Sequence, residues 1–223
     1  AKTARLIDHL QGMMSAERIE KIDRNRRNRT RHITILLENI YQSQNASAVL
    51  RSSEAFGLQD VHIIDNSNSF SINPNVVRGS DKWLTIHRYF NSACPTSDAI
   101  SSLRSNGFRI VATSPHVDGV ALEDFDLTKG KVAVFFGNEH NGVSQTLLDQ
   151  ADEYLYIPMY GFTESFNISN SAAIILSNFS ERVRKSSISW HLTEEEQEEI
   201  YFEWLQKSRM DADNIIKHYF ETL

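Results

Sequence analysis

The residue types best suited to chemistry lie in three short segments, each beside an apolar run. The first spans residues 45–51, with Asn45 at one end and Arg51 at the other. On a helix these two side chains are nearly two turns apart and point in directions about 120° apart. Arginine is always protonated in proteins, so Arg51 can supply a fixed positive charge at the mouth of a sheet. A surface ion pair with Glu54 is the alternative interpretation.

The second segment, residues 137–142, follows the apolar run 132–136 and has a glycine at each end. Glycine permits a tight turn or a close approach of the backbone to a ligand. Glu139 lies at the carboxyl end of the predicted strand, before a helix whose N-terminal dipole favours an anion. A structural helix cap explains Glu139 equally well, and we assign no catalytic role to His140.

The third segment, residues 157–171, begins where a predicted strand ends on Pro158. A turn at Gly161 follows, and then Ser165 and Asn167 lead into an alanine-rich helix. Serine and asparagine are common helix caps, so each alone is more often structural. Their density beside a glycine turn favours a pocket lined by backbone groups.

Other familiar sites are excluded by their missing residues. No G-x-G-x-x-G follows the first apolar run, and Val143 stands where a phosphate loop needs lysine. The histidines lack metal-ligand spacing, no G-x-S-x-G is present, and Cys94 is the only cysteine. We therefore expect no catalytic metal and no disulfide.

The elements that position these segments alternate between β-rich and helix-forming patterns, which predicts an α/β domain with a largely parallel sheet. The predicted strands are 33–37, 61–64, 85–89, 108–112, 132–136 and 154–157. The predicted helices are 4–23, 45–56 with Asn45 as a possible N-cap, 96–105, 143–150, 168–185 and a C-terminal helix opened by a capping box at Thr193–Glu196. Residues 65–80 are polar and predict a long functional loop. The main domain is placed at 31–186, with helical extensions at 1–30 and 187–223.

Composition agrees with a folded chain in an aqueous compartment. The 223 residues are 40% hydrophobic and 23% charged, which excludes disorder for most of the chain. No apolar run is long enough to span a bilayer, and the first residues lack a signal-peptide core, so we expect a cytoplasmic protein without a membrane partner.

The net charge of −6 is concentrated in six glutamates between residues 194 and 203, without which the chain is neutral. A basic cluster lies at the opposite end of the chain, and it is predicted to contact phosphates of RNA. Its arginines are Arg24, Arg26, Arg27, Arg29 and Arg31. A solvated helix end is the alternative.

Taken together, the three segments resemble the motifs of the SpoU (TrmH) family of RNA 2′-O-methyltransferases, in the SPOUT superfamily. The first motif, N-x-x-A-x-x-R, is matched by Asn45, Ala48 and Arg51. The second, G-x-E-x-x-G, is matched by Gly137, Glu139 and Gly142. The third is matched by Ile157, Pro158, Met159, Gly161, Ser165, Asn167 and Ser169. Two positions depart from the usual pattern, Phe166 in place of leucine and Asn170 in place of a small apolar residue.

The resemblance implies the SPOUT fold, whose C-terminal part forms a deep trefoil knot, and a homodimer with the active site near the interface. The knotted loops of the family bind S-adenosylmethionine, and Thr113, Gly137, Ile157 and Phe166 would line that site here. The family reaction moves a methyl group to a ribose 2′-hydroxyl without a metal. Arg51 would act as the base or, more readily, bind a substrate phosphate and stabilise the alkoxide. Orientation of Arg51 or the ribose would fall to Asn45, Glu139, Ser165 and Asn167.

The substrate implied is tRNA, at guanosine 18 of the D-loop. Only about thirty residues precede the first predicted strand, fewer than the separate RNA-binding domain that ribosomal-RNA members of the family often carry. Ribosomal RNA stays open as an alternative substrate, and so does a knotted RNA-binding protein that has lost catalysis. DNA is not expected as a partner.

Overall fold

The computed structural model describes residues 2–66, 69–114, 118–208 and 215–217, with side chains from residue 5 onward. The chain divides into two compact units. One unit is Thr30–Trp190, and the other combines Ala1–Arg29 with His191–Leu223. All three motif segments lie in the first of these, which we call the sheet unit, and the other is the helical unit.

The sheet unit is built on a seven-stranded sheet in which every strand pair is parallel. Its strands are β1 (Ile33–Glu38), β2 (Asp60–Ile64), β3 (Thr85–Tyr89), β4 (Arg109–Thr113), β5 (Val120–Ala121), β6 (Val132–Phe136) and β7 (Glu153–Tyr156). Their order across the sheet is β3-β2-β1-β6-β4-β7-β5. The prediction of an α/β domain with a parallel sheet is confirmed, and β5 is a strand that the sequence did not predict.

The helices of the whole chain, in order, are α1 (Lys2–Gln11), α2 (Ala16–Arg27), α3 (Ser43–Ala55), α4 (Pro74–Val77), α5 (Pro95–Ser105), α6 (Gln145–Gln150), α7 (Ile168–Lys185) and α8 (Glu194–Lys207). Short 3₁₀ turns lie at Ser80–Trp83, Leu122–Asp124 and Leu127–Lys129. The predicted loop 65–80 therefore contains a helical turn, which Asn73 caps by accepting a hydrogen bond from the Asn75 amide.

Helices cover both faces of the sheet, which explains why the central strands are apolar throughout. On one face Val49 of α3 and Phe179 of α7 pack in the same buried cluster. On the other face Leu103 of α5 and Leu147 of α6 belong to a second buried cluster. The sheet thus has no solvent-exposed face at its centre, and ligands can reach it only at the strand ends.

The carboxyl ends of β1 and β6 lie side by side, because Ile33 pairs with Val132 and Leu37 with Phe136 in parallel register. The chain leaves β1 towards α3 and leaves β6 through the loop that begins at Gly137. The first and second motif segments must therefore emerge next to each other. This is the edge at which open parallel sheets bind ligands.

Two local predictions are wrong. Asn45 is not an N-cap, because α3 begins at Ser43 and Gln42 occupies the cap position without a side-chain hydrogen bond. The single helix predicted over 4–23 is two helices, α1 and α2, separated by a break in which Gly12 and Ser15 lie. Ser15 caps α2 by accepting a hydrogen bond from the Arg18 amide.

The helical unit joins residues from both ends of the chain, which the sequence did not predict. Helix α8 contacts both α1 and α2, and Leu10, Ile22 and Trp204 are buried there. The predicted capping box is confirmed, since Thr193 and Glu196 exchange side-chain to backbone hydrogen bonds at the start of α8.

Candidate active site

A cavity of about 430 Å³ opens where β4, β6 and β7 end. Its volume falls within the range of small-molecule and cofactor pockets, roughly 300–1,000 Å³. The structure brings all four residues predicted to line a cofactor site to this one cavity. They are Thr113, Gly137, Ile157 and Phe166.

The loop that follows β6 closes on itself. Asn138 and Gly142 exchange backbone hydrogen bonds of 2.9 and 2.8 Å, and the Asn138 side chain donates to the Asn39 carbonyl at 2.8 Å. A Cβ on Gly137 would lie 2.1–2.2 Å from backbone atoms of Gly142 and Val143, where no side chain can fit. Glycine is needed at position 137 because the two ends of the loop touch each other there.

Glu139 is held by residues at the start of α3 rather than by α6, the helix that follows it. Its carboxylate accepts hydrogen bonds from the backbone amides of Tyr41 (3.0 Å) and Gln42 (3.2 Å) and from Asn45 Nδ2 (2.9 Å). Burial alone raises the pKa of Glu139, but these hydrogen bonds outweigh burial and the net pKa lies below the ordinary value. The carboxylate is therefore ionised at neutral pH. The helix-cap alternative fails, because Ser144 caps α6.

Asn45 joins the three motif segments. It is 8% exposed, and its amide nitrogen donates to Glu139 while its amide oxygen accepts from Asn167 Nδ2 at 3.1 Å. Asn167 is the N-cap of α7, where its oxygen accepts from the Ser169 amide at 2.9 Å. We call Asn45, Glu139 and Asn167 the motif network. It fixes the start of α3, the loop after β6 and the start of α7 relative to one another.

Arg51 lies outside the motif network. Its side chain is exposed on α3, and in the described part of the chain it makes no hydrogen bond or ion pair. The ion pair with Glu54 is therefore not formed, and neither is a direct contact with Asn45, Glu139 or Asn167. The predicted orientation of Arg51 by these residues is not seen, because Asn45 turns inward while Arg51 lies nearly two turns further along the helix.

Ser165 lines the cavity, and its hydroxyl has no hydrogen-bond partner among the described residues. Two carboxylates, Glu139 and Glu164, also line the cavity, whereas none of its described lining residues is lysine or arginine. The site therefore combines an open hydroxyl with a negative potential. Such a potential suits a ligand that carries positive charge.

Glu38, at the end of β1, is a positioning residue that the sequence analysis missed. It is 2% exposed, and its carboxylate accepts hydrogen bonds from the Thr96 hydroxyl and from the hydroxyl and amide of Ser144. This anchors the start of α6, directly after the loop that carries Glu139. A charged residue that ends an otherwise apolar run was the available signal.

The predicted basic cluster is divided by the structure. Arg24 and Arg27 are exposed, although Arg27 also pairs with Asp23. Arg29 is 3% exposed and its guanidinium lies 4.9 Å from the centre of the Trp204 ring, so it is not available at the surface. The prediction that Arg29 contacts phosphate is therefore wrong.

The other two arginines are partly occupied. The guanidinium of Arg26 pairs with Asp23 and lies over the Tyr201 ring, and Arg31 pairs with Asp60 at 2.8 Å. A phosphate would have to compete with these carboxylates. Arg24 and Arg27 are therefore the members of the cluster most available to a phosphate.

Among the residues that the structure describes, no helix is long and apolar enough to cross a membrane. Within the same ranges, no three His, Cys, Asp or Glu side chains are grouped closely enough to hold a metal ion.

The sheet is parallel, helices cover both of its faces, and a cavity lined by Gly137 and Gly142 lies at the carboxyl ends of its strands. These features define a class of α/β proteins that bind small cofactors at the strand ends. The model of the SpoU rRNA methylase family matches residues 32–177. The chain belongs to this SpoU methylase family.

Among relatives, a tRNA (guanosine(18)-2′-O)-methyltransferase of Borreliella burgdorferi is 42% identical over 191 residues, covering 84% of this chain and 85% of the relative. A solved TrmH/SpoU tRNA-modifying enzyme of A. aeolicus has a TM-score of 0.77 at 26% identity, covering 87% of this chain and 98% of that one. The SpoU methyltransferase AviRb of Streptomyces viridochromogenes, solved with AdoMet, has a TM-score of 0.60 at 25% identity, covering 71% of this chain and 63% of that one.

Proposed function

We propose that this protein transfers a methyl group from S-adenosylmethionine to a ribose 2′-hydroxyl of tRNA, at guanosine 18 of the D-loop. The observation that carries the proposal is the motif network, in which Asn45 bonds both Glu139 and Asn167 beside the cavity. Three motif segments distant in sequence meet there. Relatives named for the same tRNA reaction support the substrate.

The cavity residues fit the cofactor. The volume of about 430 Å³ suits a ligand of that size. Gly137, which lines the cavity, touches the backbone of Gly142 and Val143 so closely that no side chain fits at position 137. The Glu139 and Glu164 carboxylates provide negative charge for a ligand that is cationic at its sulfur and its amine. When bound, the cofactor would supply a methyl group from its sulfonium, with a neutral thioether as the leaving group.

The roles of the site residues follow from their bonding. The motif network holds the walls of the site in place, and its members have few hydrogen-bonding atoms left for substrate. Arg51 is exposed and unpaired among the described residues, so its guanidinium can bind a substrate phosphate. It would also stabilise the negative charge that develops on the 2′-oxygen as the hydroxyl proton passes to water. Ser165 has an open hydroxyl at the cavity and would orient the ribose or the cofactor.

We further propose that the helical unit contributes RNA contacts through Arg24 and Arg27, and that the sheet unit carries the catalytic site. A C-terminal trefoil knot is supported by the strand order, in which β6 lies between β1 and β4, and β7 between β4 and β5. A homodimer is supported by the exposed rings of Tyr160 and Phe162 near the third motif. A tRNA substrate would place the enzyme in the cytoplasm.

The test is to incubate purified protein with total RNA and labelled S-adenosylmethionine and to map methylated nucleosides by mass spectrometry. The expected product is 2′-O-methylguanosine at position 18 of tRNA, formed equally with and without a chelator. Product in ribosomal RNA alone would move the assignment to the alternative substrate. RNA binding without cofactor binding, measured by calorimetry, would identify an RNA-binding protein that has lost catalysis.

A further inference from the structure

Two aromatic side chains lie beside the motif network without belonging to it. The rings of Tyr41 and His140 meet edge to face, with centroids 5.9 Å apart and planes 64° apart. Tyr41 is 66% exposed, in the turn between β1 and α3, and His140 is exposed in the loop after β6 and lines the cavity. The pair therefore lies at the cavity mouth.

Main-chain hydrogen bonds hold both residues in place. The Tyr41 amide donates to Glu139 Oε2 at 3.0 Å, and the His140 amide donates to Asn138 Oδ1 at 2.9 Å. Among the described residues, neither the tyrosine hydroxyl nor the imidazole has a hydrogen-bond partner. The backbone is anchored to the site while both rings stay open to solvent. An exposed ring that is so placed suits a stacking ligand better than a packing role.

Two other exposed rings, Phe166 and Tyr156, also line the cavity, but among the described residues neither contacts a second aromatic ring.

The remaining exposed rings do not line the cavity. Tyr160 is 97% exposed and Phe162 is fully exposed, but neither lines the cavity. Phe90 is half-exposed at the end of β3, where Arg88 lies against its ring. The Tyr41–His140 pair is distinguished by the contact between its two rings, by the position of His140 at the cavity and by the hydrogen bond from Tyr41 to Glu139.

We propose that Tyr41 and His140 form a ledge that stacks on the nucleobase of the nucleotide being methylated, an inference that rests on the proposed function. The base is attached to the same ribose, so when the 2′-oxygen reaches the cavity, the base lies close to the cavity mouth. That base must leave its stack in the folded RNA, and aromatic side chains are the groups that receive unstacked bases in RNA-binding proteins. Tyr41 offers its exposed ring to the base, and His140 packs against that ring.

The first experiment compares Tyr41→Ala with Tyr41→Phe and Tyr41→Leu. Loss of one stacking ring weakens binding of a base, so kcat/KM for tRNA should fall about 10-fold in the alanine variant, which corresponds to about 1.4 kcal/mol. Phenylalanine keeps the ring and should recover most of this loss, whereas leucine keeps only apolar bulk and should not. S-adenosylmethionine affinity and the melting temperature should stay unchanged, because the backbone amide that bonds Glu139 is present in all variants.

The second experiment asks what the ring contacts. Wild type and Tyr41→Ala are each assayed on tRNA with guanosine 18 and on tRNA with an abasic ribose at that position. If the ring stacks on the target base, the 10-fold difference between the enzymes should nearly vanish on the abasic substrate. A difference of the same size on both substrates would overturn the proposal, since the ring would then act elsewhere on the RNA or on the fold.

The third experiment uses His140→Ala to test whether the second ring supports the first. Removal of the supporting ring should lower kcat/KM for intact tRNA less than Tyr41→Ala does, and the double variant should add little to the tyrosine effect. Full additivity would mean that the two rings do not act as one ledge. The failures are distinguishable: if wild type methylates no RNA, the proposed function fails, whereas an active wild type with an equally active Tyr41→Ala variant removes only the ledge.

Discussion

The residues of the three motifs fall into two groups that differ in hydrogen bonding. One group is the motif network, and the other consists of Arg51 and Ser165. Asn45, Glu139 and Asn167 bond to one another across three segments. Arg51 and Ser165 have no hydrogen-bond partner in the described ranges. Residues of one signature therefore divide into those that build the site and those whose bonding capacity is left for ligands. Substitutions in the first group should affect both fold and cofactor, and those in the second should affect ligand binding or turnover and leave the fold intact.

The largest effect expected is that of Arg51→Ala. Removal of a group that stabilises developing negative charge typically lowers kcat by about 100- to 1,000-fold. Because Arg51 is exposed and unpaired, S-adenosylmethionine affinity and the melting temperature should stay at wild-type values. Single-turnover rates and cofactor titration on the same preparation measure both. Arg51→Lys keeps the charge but loses the planar fork, so its rate should lie in between. A fast Arg51→Ala enzyme would break the division described above.

The second-largest effect is expected for Gly137→Ala. The added Cβ would lie 2.1–2.2 Å from the backbone of Gly142 and Val143, so the loop must open. Such overpacking costs about 1–3 kcal/mol of folding free energy, and cofactor affinity should fall at least about 10-fold. Gly161→Ala is the matched control, because its Cβ would meet nothing within 4 Å and should leave stability unchanged. Calorimetry and thermal melts on both variants decide the point.

Glu139→Gln should destabilise the fold by about 1.5–3 kcal/mol at neutral pH, because the neutral amide replaces a charged acceptor of three hydrogen bonds. The pKa of Glu139 is lowered in the folded state, so its stabilisation is complete above the ordinary carboxyl pKa and is lost as the pH falls through the folded value. Melting curves should therefore separate the two proteins at neutral pH and converge once the pH falls below the lowered pKa of Glu139. A gap that widens in acid would contradict an ionised anchor.

The smallest effect concerns the helical unit. Changing both Arg24 and Arg27 to Gln should weaken tRNA binding and flatten the log-affinity against log-salt slope by up to about one unit per lost phosphate contact. Cofactor affinity should not change, because no cavity-lining residue is altered. Arg29→Gln is a useful contrast, since this buried arginine should affect stability and not the salt slope. An unchanged slope in the double variant would return the cluster to a solvated helix end.

The sequence predicted the sheet well because each central strand is a short, almost wholly apolar run. Val132–Phe136 and Ile33–Glu38 were placed within a residue of their observed bounds. It did not predict β5, whose two residues are too few for any periodic signal.

Long-range pairing limited the rest of the prediction. Asn45 is a residue type that commonly caps helices, and only the fold shows that its side-chain amide donates a hydrogen bond to Glu139. Arg29 is a residue type that commonly contacts phosphate, but its guanidinium lies against the ring of Trp204, which is remote in sequence. Motif spacing identified which residues meet at the site, whereas their individual bonds depend on which chain segments fold against each other.

The most direct test of methyl transfer to ribose uses two tRNA transcripts that differ in one atom. One carries guanosine at position 18 and the other carries 2′-deoxyguanosine, and both are incubated with wild-type protein and labelled S-adenosylmethionine. We predict one methyl group on the first transcript and none on the second, with similar binding of both. Equal labelling of both would place the methyl group on the base or elsewhere and contradict the account.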